Sequence, residues 1–148
     1  MLIENNLKYC RENLEMTQEE MGYVLGVTKG TVANWENGND SIPLRQLVKI
    51  CNQYNVSIDF LLGLTRDNEH YCKIPKLDKV IIGKRIKLLR EKLNYTQTQF
   101  AKQCSIGQST LSLYESGKRL VNTLTLQTIC KKLNASADQI LGRKKNSN

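Results

Sequence analysis

The sequence repeats itself after 79 residues, and no other feature constrains its fold as strongly. Thr17-Gln18 recurs as Thr96-Gln97, and Glu36 recurs as Glu115. The alignment pairs residues 3–63 with 82–142 without a gap, and roughly 30% of the positions are identical, which is hard to attribute to chance. At 148 residues the chain is long enough for two small domains. We therefore predict a first domain at 1–64, a linker at 65–77 and a second domain at 78–148, which ends in a short basic tail, Arg143-Lys144-Lys145-Asn146-Ser147-Asn148.

Each copy has the apolar pattern of about five short helices. In the first helix, apolar residues recur at i, i+4, i+7 and i+11: Ile3, Leu7, Cys10 and Leu14 in one copy, and Ile82, Ile86, Leu89 and Leu93 in the other. The fourth helix has a similar stripe, namely Leu44, Leu47, Val48 and Cys51, and then Leu124, Leu126, Ile129, Cys130 and Leu133. A short fifth helix begins after Ser57 or Ser136. No segment alternates with the strand period, so the predicted fold class is all-α.

Residues 17–38 predict two short helices joined by a tight turn. Thr17 and Glu20 have the spacing of a capping box, and Gly26 falls where the turn needs a positive φ. Thr28 can cap the second of the two helices. The buried stripe and the stop signal of that helix are Val32, Trp35 and Asn37-Gly38. The polar outer face of such a helix suits the major groove of DNA.

The positive charge of the chain lies almost entirely in the second copy. Residues 1–64 hold five Lys/Arg against eight Asp/Glu, a net charge of −3, whereas residues 80–148 hold thirteen against three, a net charge of +10. The whole chain carries +8 and has a sequence pI near 9.3, which indicates a polyanionic partner. The second copy therefore has the electrostatic character of a DNA-binding domain.

Several classes of protein are disfavoured by what the sequence lacks. The only His is His70, and no phosphate-binding loop or nucleophile motif occurs, so we predict no enzyme and no catalytic residues. The five cysteines form no C-x-x-C pair, so we expect no metal or cofactor and a reducing cytoplasm. Residues 1–6 lack a signal-peptide pattern, and no apolar run approaches the roughly 18–20 residues of a membrane helix.

Both copies share the pattern T-Q-x-x-apolar-small, then T-apolar-x-x-aromatic-E-x-G, and later S-x-D-x-apolar-L-G. This pattern resembles the Cro/repressor-type (XRE) helix-turn-helix family. The resemblance covers 3–63 and 82–142 and implies two tandem five-helix, lambda-repressor-like domains. Domains of this family bind double-stranded operator DNA, usually as dimers.

The resemblance also implies roles for individual residues. The outer face of the third helix reads base edges in the family, which assigns Lys29, Gly30, Ala33 and Asn34, and then Gln108, Ser109, Ser112 and Leu113. Phosphate contacts are expected at Gln18, Thr28, Asn37, Gln97, Ser116, Lys118 and Arg119. Arg11 with Glu36, and Arg90 with Glu115, match an ion pair that holds the first helix against the end of the third.

The leading hypothesis is a sequence-specific transcriptional regulator, a repressor of phage or mobile-element type. Three arrangements stay open: one chain reading two half-sites, a DNA-binding second unit with a first unit that dimerises or contacts another protein, or a homodimer of whole chains. The alternative function is a protein-interaction module, an antirepressor or an inhibitor of a host nuclease. It is motivated by the acidic first unit, with Glu15, Glu19 and Glu20 near the start of the second helix.

Overall fold

The computed structural model describes residues 4–74 and 76–145, and this part of the chain forms ten α-helices and no sheet. The all-α prediction is confirmed. The helices of the first copy are α1 (Leu7–Asn13), α2 (Gln18–Leu25), α3 (Lys29–Glu36), α4 (Leu44–Tyr54) and α5 (Ile58–Leu61). Those of the second copy are α6 (Lys79–Lys92), α7 (Gln97–Gln103), α8 (Gln108–Glu115), α9 (Thr123–Leu133) and α10 (Ala137–Leu141). Within the described ranges, no helix has the length and apolar character that crossing a membrane requires.

Two compact units make up the described chain, 4–71 together with Lys145, and 72–74 with 76–144. The expected linker is therefore divided between the units. Asn68 fastens its first half, because the Asn68 side-chain oxygen accepts a hydrogen bond of 2.7 Å from the Ser57 backbone N–H at the start of α5. Tyr71 is buried in the first unit and Ile74 in the second. Pro75 lies outside the described residues.

Arg143, the first residue of the expected basic tail, is packed into the second unit. Arg143 is only 2% exposed, and its Nη1 donates to Asp138 Oδ1 at 2.9 Å. A buried guanidinium needs such a partner, since an isolated charge is costly to remove from water. Residues 146–148 of the expected tail lie outside the described part of the chain.

The predicted capping signals set the ends of α2 and α3. Thr17 Oγ1 accepts from the Glu20 backbone N–H at 3.0 Å, and Glu20 Oε1 accepts from the Thr17 N–H at 3.1 Å, which completes the capping box. Thr28 Oγ1 accepts from the Thr31 N–H at 3.1 Å. Gly26 adopts a φ of 72°, whereas Ser105 occupies the matching turn of the second unit with a φ of 56°. The predicted stripe of α3, Val32 and Trp35, is buried.

The predicted apolar stripes of α1 and α6 are correct at their centres and wrong at their ends. Leu7 and Cys10 are buried in α1, as are Ile82 and Ile86 in α6, whereas Leu89 is only partly buried. Leu14 and Leu93 are exposed because each is the C-cap of its helix. The next residue, Glu15 or Asn94, has a positive φ that turns the chain away from the helical path. Ile3 lies outside the described residues.

The stripe of α4 is confirmed in full, since Leu44, Leu47, Val48 and Cys51 are all buried. Its counterpart in α9 is confirmed at Leu126, Ile129 and Cys130 and wrong at Leu124, which is 49% exposed. Leu124 aligns with the exposed Arg45, and Thr123 occupies the buried position of Leu44. Leu133 is half-buried.

Candidate nucleic-acid interface

The outer face of α3 is polar and open to solvent. Lys29, Gly30 and Asn34 are exposed, and Ala33 is half-buried beside them. The Asn34 backbone oxygen accepts hydrogen bonds from the N–H groups of the loop that follows the helix, at 2.9 Å from Asn39 and 3.3 Å from Asp40. The helix is thereby closed at its C-terminal end, and the side chains of Lys29 and Asn34 remain directed away from the core.

The matching face of α8 differs in chemistry. Gln108 and Ser109 are exposed, and Ser112 and Leu113 are half-buried. Glutamine can pair with adenine, and an apolar side chain such as Leu113 can contact a thymine methyl group. The two units therefore present different sets of side chains at the same positions of the same fold.

The residues expected at phosphates surround these two faces. Gln18 and Gln97 are half-buried at the first turns of α2 and α7, Thr28 and Asn37 flank α3, and Ser116, Lys118 and Arg119 follow α8. The backbone N–H groups of Lys118 and Arg119 both donate to the Leu113 oxygen, at 3.0 and 3.2 Å. The loop is thus held against α8 while its two cationic side chains extend into solvent, as phosphate binding requires.

A network of three side chains, which we call the Arg–Glu–Gln bracket, joins the first three helices of the first unit. Arg11 Nε donates to Glu36 Oε2 at 2.6 Å, and Arg11 Nη2 donates to Glu36 Oε1 at 3.0 Å. Gln18 Nε2 donates to the same Oε1 at 3.1 Å, and Arg11 Nη1 donates to the Met16 oxygen at 2.8 Å. The bracket fixes the C-terminal end of α3 relative to α1 and to the start of α2.

The second unit builds the same bracket from Arg90, Glu115 and Gln97. The two Arg90–Glu115 hydrogen bonds measure 2.8 and 2.9 Å, and Gln97 Nε2 donates to Glu115 Oε1 at 3.1 Å. Only 4% of the Glu115 side chain is exposed. The hydrogen bonds to Glu36 and Glu115 raise the pKa of Arg11 and Arg90 above their usual values, so both guanidinium groups stay charged.

The second unit extends its bracket by one hydrogen bond that the sequence did not predict. Gln108 Nε2 donates to Gln97 Oε1 at 2.7 Å, so the first residue of α8 is linked through Gln97 to Glu115. The signal was present in the sequence as two glutamines, each assigned to the DNA-facing side. In the first unit Lys29 occupies the matching position and presents an ammonium group in place of the amide.

Acidic side chains distinguish the first unit at the start of the helix-turn-helix. Glu19 and Glu20 are exposed in the first turn of α2, where the second unit has Thr98 and Gln99. Carboxylates near a phosphate backbone repel it.

Among the described residues, no group of three or more His, Cys, Asp or Glu side chains could hold a metal ion.

Two short helices joined by a tight turn, with the inner face of the second buried and its outer face open, define the helix-turn-helix class of DNA-binding domain. A family model described as Helix-turn-helix matches residues 7–61 and again residues 86–140. The chain belongs to this family, in its XRE-type (Cro/repressor) form, as its sequence predicted.

Several curated proteins resemble one unit's length of the chain. The antitoxin PezA of Streptococcus pneumoniae serotype 4 is 42% identical over 65 residues, which cover 44% of this chain and 41% of PezA. The HTH-type transcriptional regulator ImmR of Bacillus subtilis is 40% identical over 62 residues, 42% of this chain and 49% of ImmR. The chain thus spans about half the length of these relatives.

Two solved structures are similar to part of the fold. The restriction-modification controller protein C.AhdI from Aeromonas hydrophila is 22% identical, with a TM-score of 0.41 over 43% of this chain and 96% of that one. The clp gene regulator ClgR from Corynebacterium glutamicum is 24% identical, with a TM-score of 0.42 over 46% of this chain and 72% of that one.

Proposed function

We propose that the protein is a sequence-specific DNA-binding transcriptional repressor whose principal reading element is α8. The observation that carries this proposal is the link from Glu115 through Gln97 to Gln108. It orients an amide on the outer face of the recognition helix before DNA arrives, which lowers the entropic cost of base recognition. The unit that contains the link also has the positive charge that phosphate binding needs.

Lys118 and Arg119 would contact the phosphates next to the bases read by α8. Repression follows if the bound operator overlaps a promoter. We further propose that the protein acts in the cytoplasm and is encoded by a phage or another mobile element. The similarity to ImmR, which is named a transcriptional regulator, supports regulation of transcription. A homodimer would place further recognition helices on the same operator.

Selection of binding sites from random DNA tests this assignment. Gln108→Ala should relax preference at one position of the selected site, at a cost of about 1–3 kcal/mol there. Asn34→Ala reports on α3 in the same way, and Lys131→Ala, which changes an exposed residue of α9, is the control. If only Gln108→Ala alters the selected site, α3 is not a base reader. If neither variant does, the proposed reading faces are wrong.

The salt dependence of binding tests the phosphate contacts. If about six phosphates are neutralised, affinity should fall on the order of a thousandfold between roughly 50 and 200 mM salt. Binding that does not weaken with salt would contradict the proposal. A footprint upstream of the protein's own gene or of a neighbouring gene, with reporter expression rising on deletion of the protein, would support repression.

A second candidate function is a protein-interaction module that uses the acidic first unit. Glu19 and Glu20 are unfavourable next to phosphates and available to a basic protein. The chain is also similar to PezA, which is named an antitoxin. Affinity purification from host cells with the wild-type chain and with Glu19→Lys tests it. A partner lost only from the variant is expected, and equal recovery from both would contradict this candidate.

A further inference from the structure

The outer face of α2 forms a shallow acidic groove on the first unit. The groove encloses about 440 Å³ and is lined by Met16, Glu19, Glu20, Tyr23 and Val24. Tyr23 is 89% exposed, although tyrosine in a monomer usually buries much of its ring. An aromatic ring and an apolar floor between two carboxylates are the features of a site for a basic, partly apolar partner.

The fold itself does not require this groove. The matching residues of α7 are polar or basic: Thr98, Gln99, Lys102 and Gln103. Lys102 replaces Tyr23, and neither carboxylate has a counterpart, yet the second unit has the same five helices. The acidic groove is therefore an addition to the first unit.

The second unit has a complementary addition on the outer face of α6. Ile81 and Leu88 lie two turns apart on that face, and Leu88 is 65% exposed. Lys84 and Lys92 are exposed around them, with Arg85 half-buried alongside. The buried residues of α6, Ile82, Gly83 and Ile86, occupy its opposite side.

The first unit lacks this basic face just as the second lacks the groove. The residues of the first copy that match Lys84, Arg85, Leu88 and Lys92 are uncharged: Asn5, Asn6, Tyr9 and Asn13. Each surface thus exists in one copy only, and the two surfaces are opposite in charge.

We propose that the acidic groove on α2 binds the basic outer face of α6 from a second copy of this chain. Ile81 and Leu88 would cover Tyr23 and Val24, while Lys84 and Lys92 would lie next to Glu19 and Glu20. Like units repel each other at net charges of −3 and +10, and unlike units attract, which favours this pairing over first unit on first unit or second on second. We favour a second copy over a separate basic protein because both complementary surfaces are present on this one chain.

The proposed contact joins two different surfaces, so it is heterologous. A dimer in which each chain gives its α6 to the groove of the other would contain this contact twice. The contact area is small and its rim is charged, so we expect weak association that is lost as salt screens the charges.

Sedimentation velocity of the nucleic-acid-free full chain tests the proposal. At roughly 10 to 300 µM and low salt, the range in which small transient interfaces associate, the mean sedimentation coefficient of the wild type should rise with concentration. Glu19→Lys and Lys84→Glu should each weaken association roughly tenfold or more. Thr98→Lys, at the position of the second unit that matches Glu19, and Lys131→Glu, on α9, are the controls and should associate like the wild type.

Mixing the two charge-reversal variants is the decisive measurement. The Glu19→Lys chain and the Lys84→Glu chain should associate with each other although neither associates with itself, because each reversed charge then meets a reversed partner. Circular dichroism checks that both variants are folded. Two further single variants, Tyr23→Ser and Leu88→Ser, should each lose association without a change of charge. A wild type that stays monomeric, variants that associate like the wild type, or a mixture that fails to associate would each overturn the proposal. The first of these outcomes would leave the groove to a different basic protein.

Discussion

At the scale of single residues, the buried glutamates at the ends of α3 and α8 are the most constrained groups of the described chain. Each accepts hydrogen bonds from an arginine and a glutamine, and only 1% of the Glu36 side chain is exposed. A buried ion pair often stabilises a fold no more than apolar residues of similar volume would. Removal of one partner is nevertheless strongly destabilising, because the remaining charge is then buried without a partner. The Arg–Glu–Gln bracket is therefore sensitive to any single change.

Replacement of Glu36 by Ala should lower the free energy of unfolding of the first unit by about 3 kcal/mol. The cause is the Arg11 guanidinium, which would lose two hydrogen bonds while it stays largely buried. Trp35 is the only tryptophan and lies in α3, so its fluorescence during denaturant unfolding reports on this unit. Glu12→Ala, at an exposed site of α1, is the control and should leave the transition nearly unchanged. Equal effects of the two variants would refute the role of the bracket.

The cysteines differ strongly in their expected reactivity. Burial raises the pKa of the Cys10 thiol to about 11, so near pH 8 its thiolate fraction should be roughly a hundredfold smaller than that of a thiol with the ordinary pKa of about 9. Cys72 is exposed. We expect alkylation followed by mass spectrometry to modify Cys72 first and Cys10 only on unfolding. Equal rates for the two thiols would contradict the burial of Cys10.

The same pKa shift makes stability depend on pH on the alkaline side. Below about pH 9 both the folded and the unfolded chain keep the Cys10 proton, so this group has no effect there. Between about pH 9 and 11 the unfolded chain ionises first, so the free energy of unfolding should decrease, and the Cys10→Ala variant should show a smaller decrease. Thermal melts across this range measure the difference.

At the scale of elements, the positions of helices were easier to predict from the sequence than their ends. The capping residues Thr17 and Thr28 were recognisable because their hydrogen bonds are local. Leu14 and Leu124 were assigned to the core by periodicity alone, and both are exposed. Periodicity does not reveal where a backbone turns to positive φ after Leu14, nor that Thr123 takes the buried position at the start of α9.

Close contact between α6 and α8 depends on Gly83. A Cβ at this position would lie 2.1 Å from the Tyr114 backbone oxygen, so Gly83→Ala must push the two helices apart. We expect a loss of about 1–3 kcal/mol in the free energy of unfolding of the second unit, measured by circular dichroism. Gly30→Ala is the matched control, because its Cβ meets only the Thr28 hydroxyl at 3.8 Å and alanine favours helix. A neutral Gly83→Ala would show that the helices do not approach so closely.

At the scale of the whole molecule, the sequence repeat was enough to predict two helical units, and the structure has two. The packing of the segment between them was not predictable, because it depends on hydrogen bonds to residues that are distant in the sequence. Asn68 bonds back to the start of α5, and the Arg143 side chain donates to the Cys72 oxygen at 3.2 Å across 71 residues of sequence. The expected ion pairs of the bracket followed from a resemblance, whereas the Gln97–Gln108 bond appeared only in three dimensions.

The division of charge should be visible in binding to DNA of random sequence. If the proposed phosphate contacts are correct, replacement of Lys118 and Arg119 by Gln should reduce the slope of log affinity against log salt by about two, because each substitution would remove one of them. The matched variant replaces Lys8 and Lys49, which are exposed on the first unit, and removes the same charge. Fluorescence anisotropy with a labelled duplex compares them. Equal losses would show that both units contact the DNA backbone.

The duplicated Arg–Glu–Gln bracket has a consequence for how such a protein can change over generations. The bracket holds the C-terminal ends of α3 and α8, and it uses the same three residue types in both units. The residues of the outer faces that lie outside the bracket, Lys29, Gly30 and Asn34 in one unit and Ser109 and Ser112 in the other, can therefore vary without loss of this support. Two copies of one domain that begin with identical outer faces can therefore acquire different ones. The residues of these faces can also be exchanged between the units by mutagenesis while the bracket stays intact.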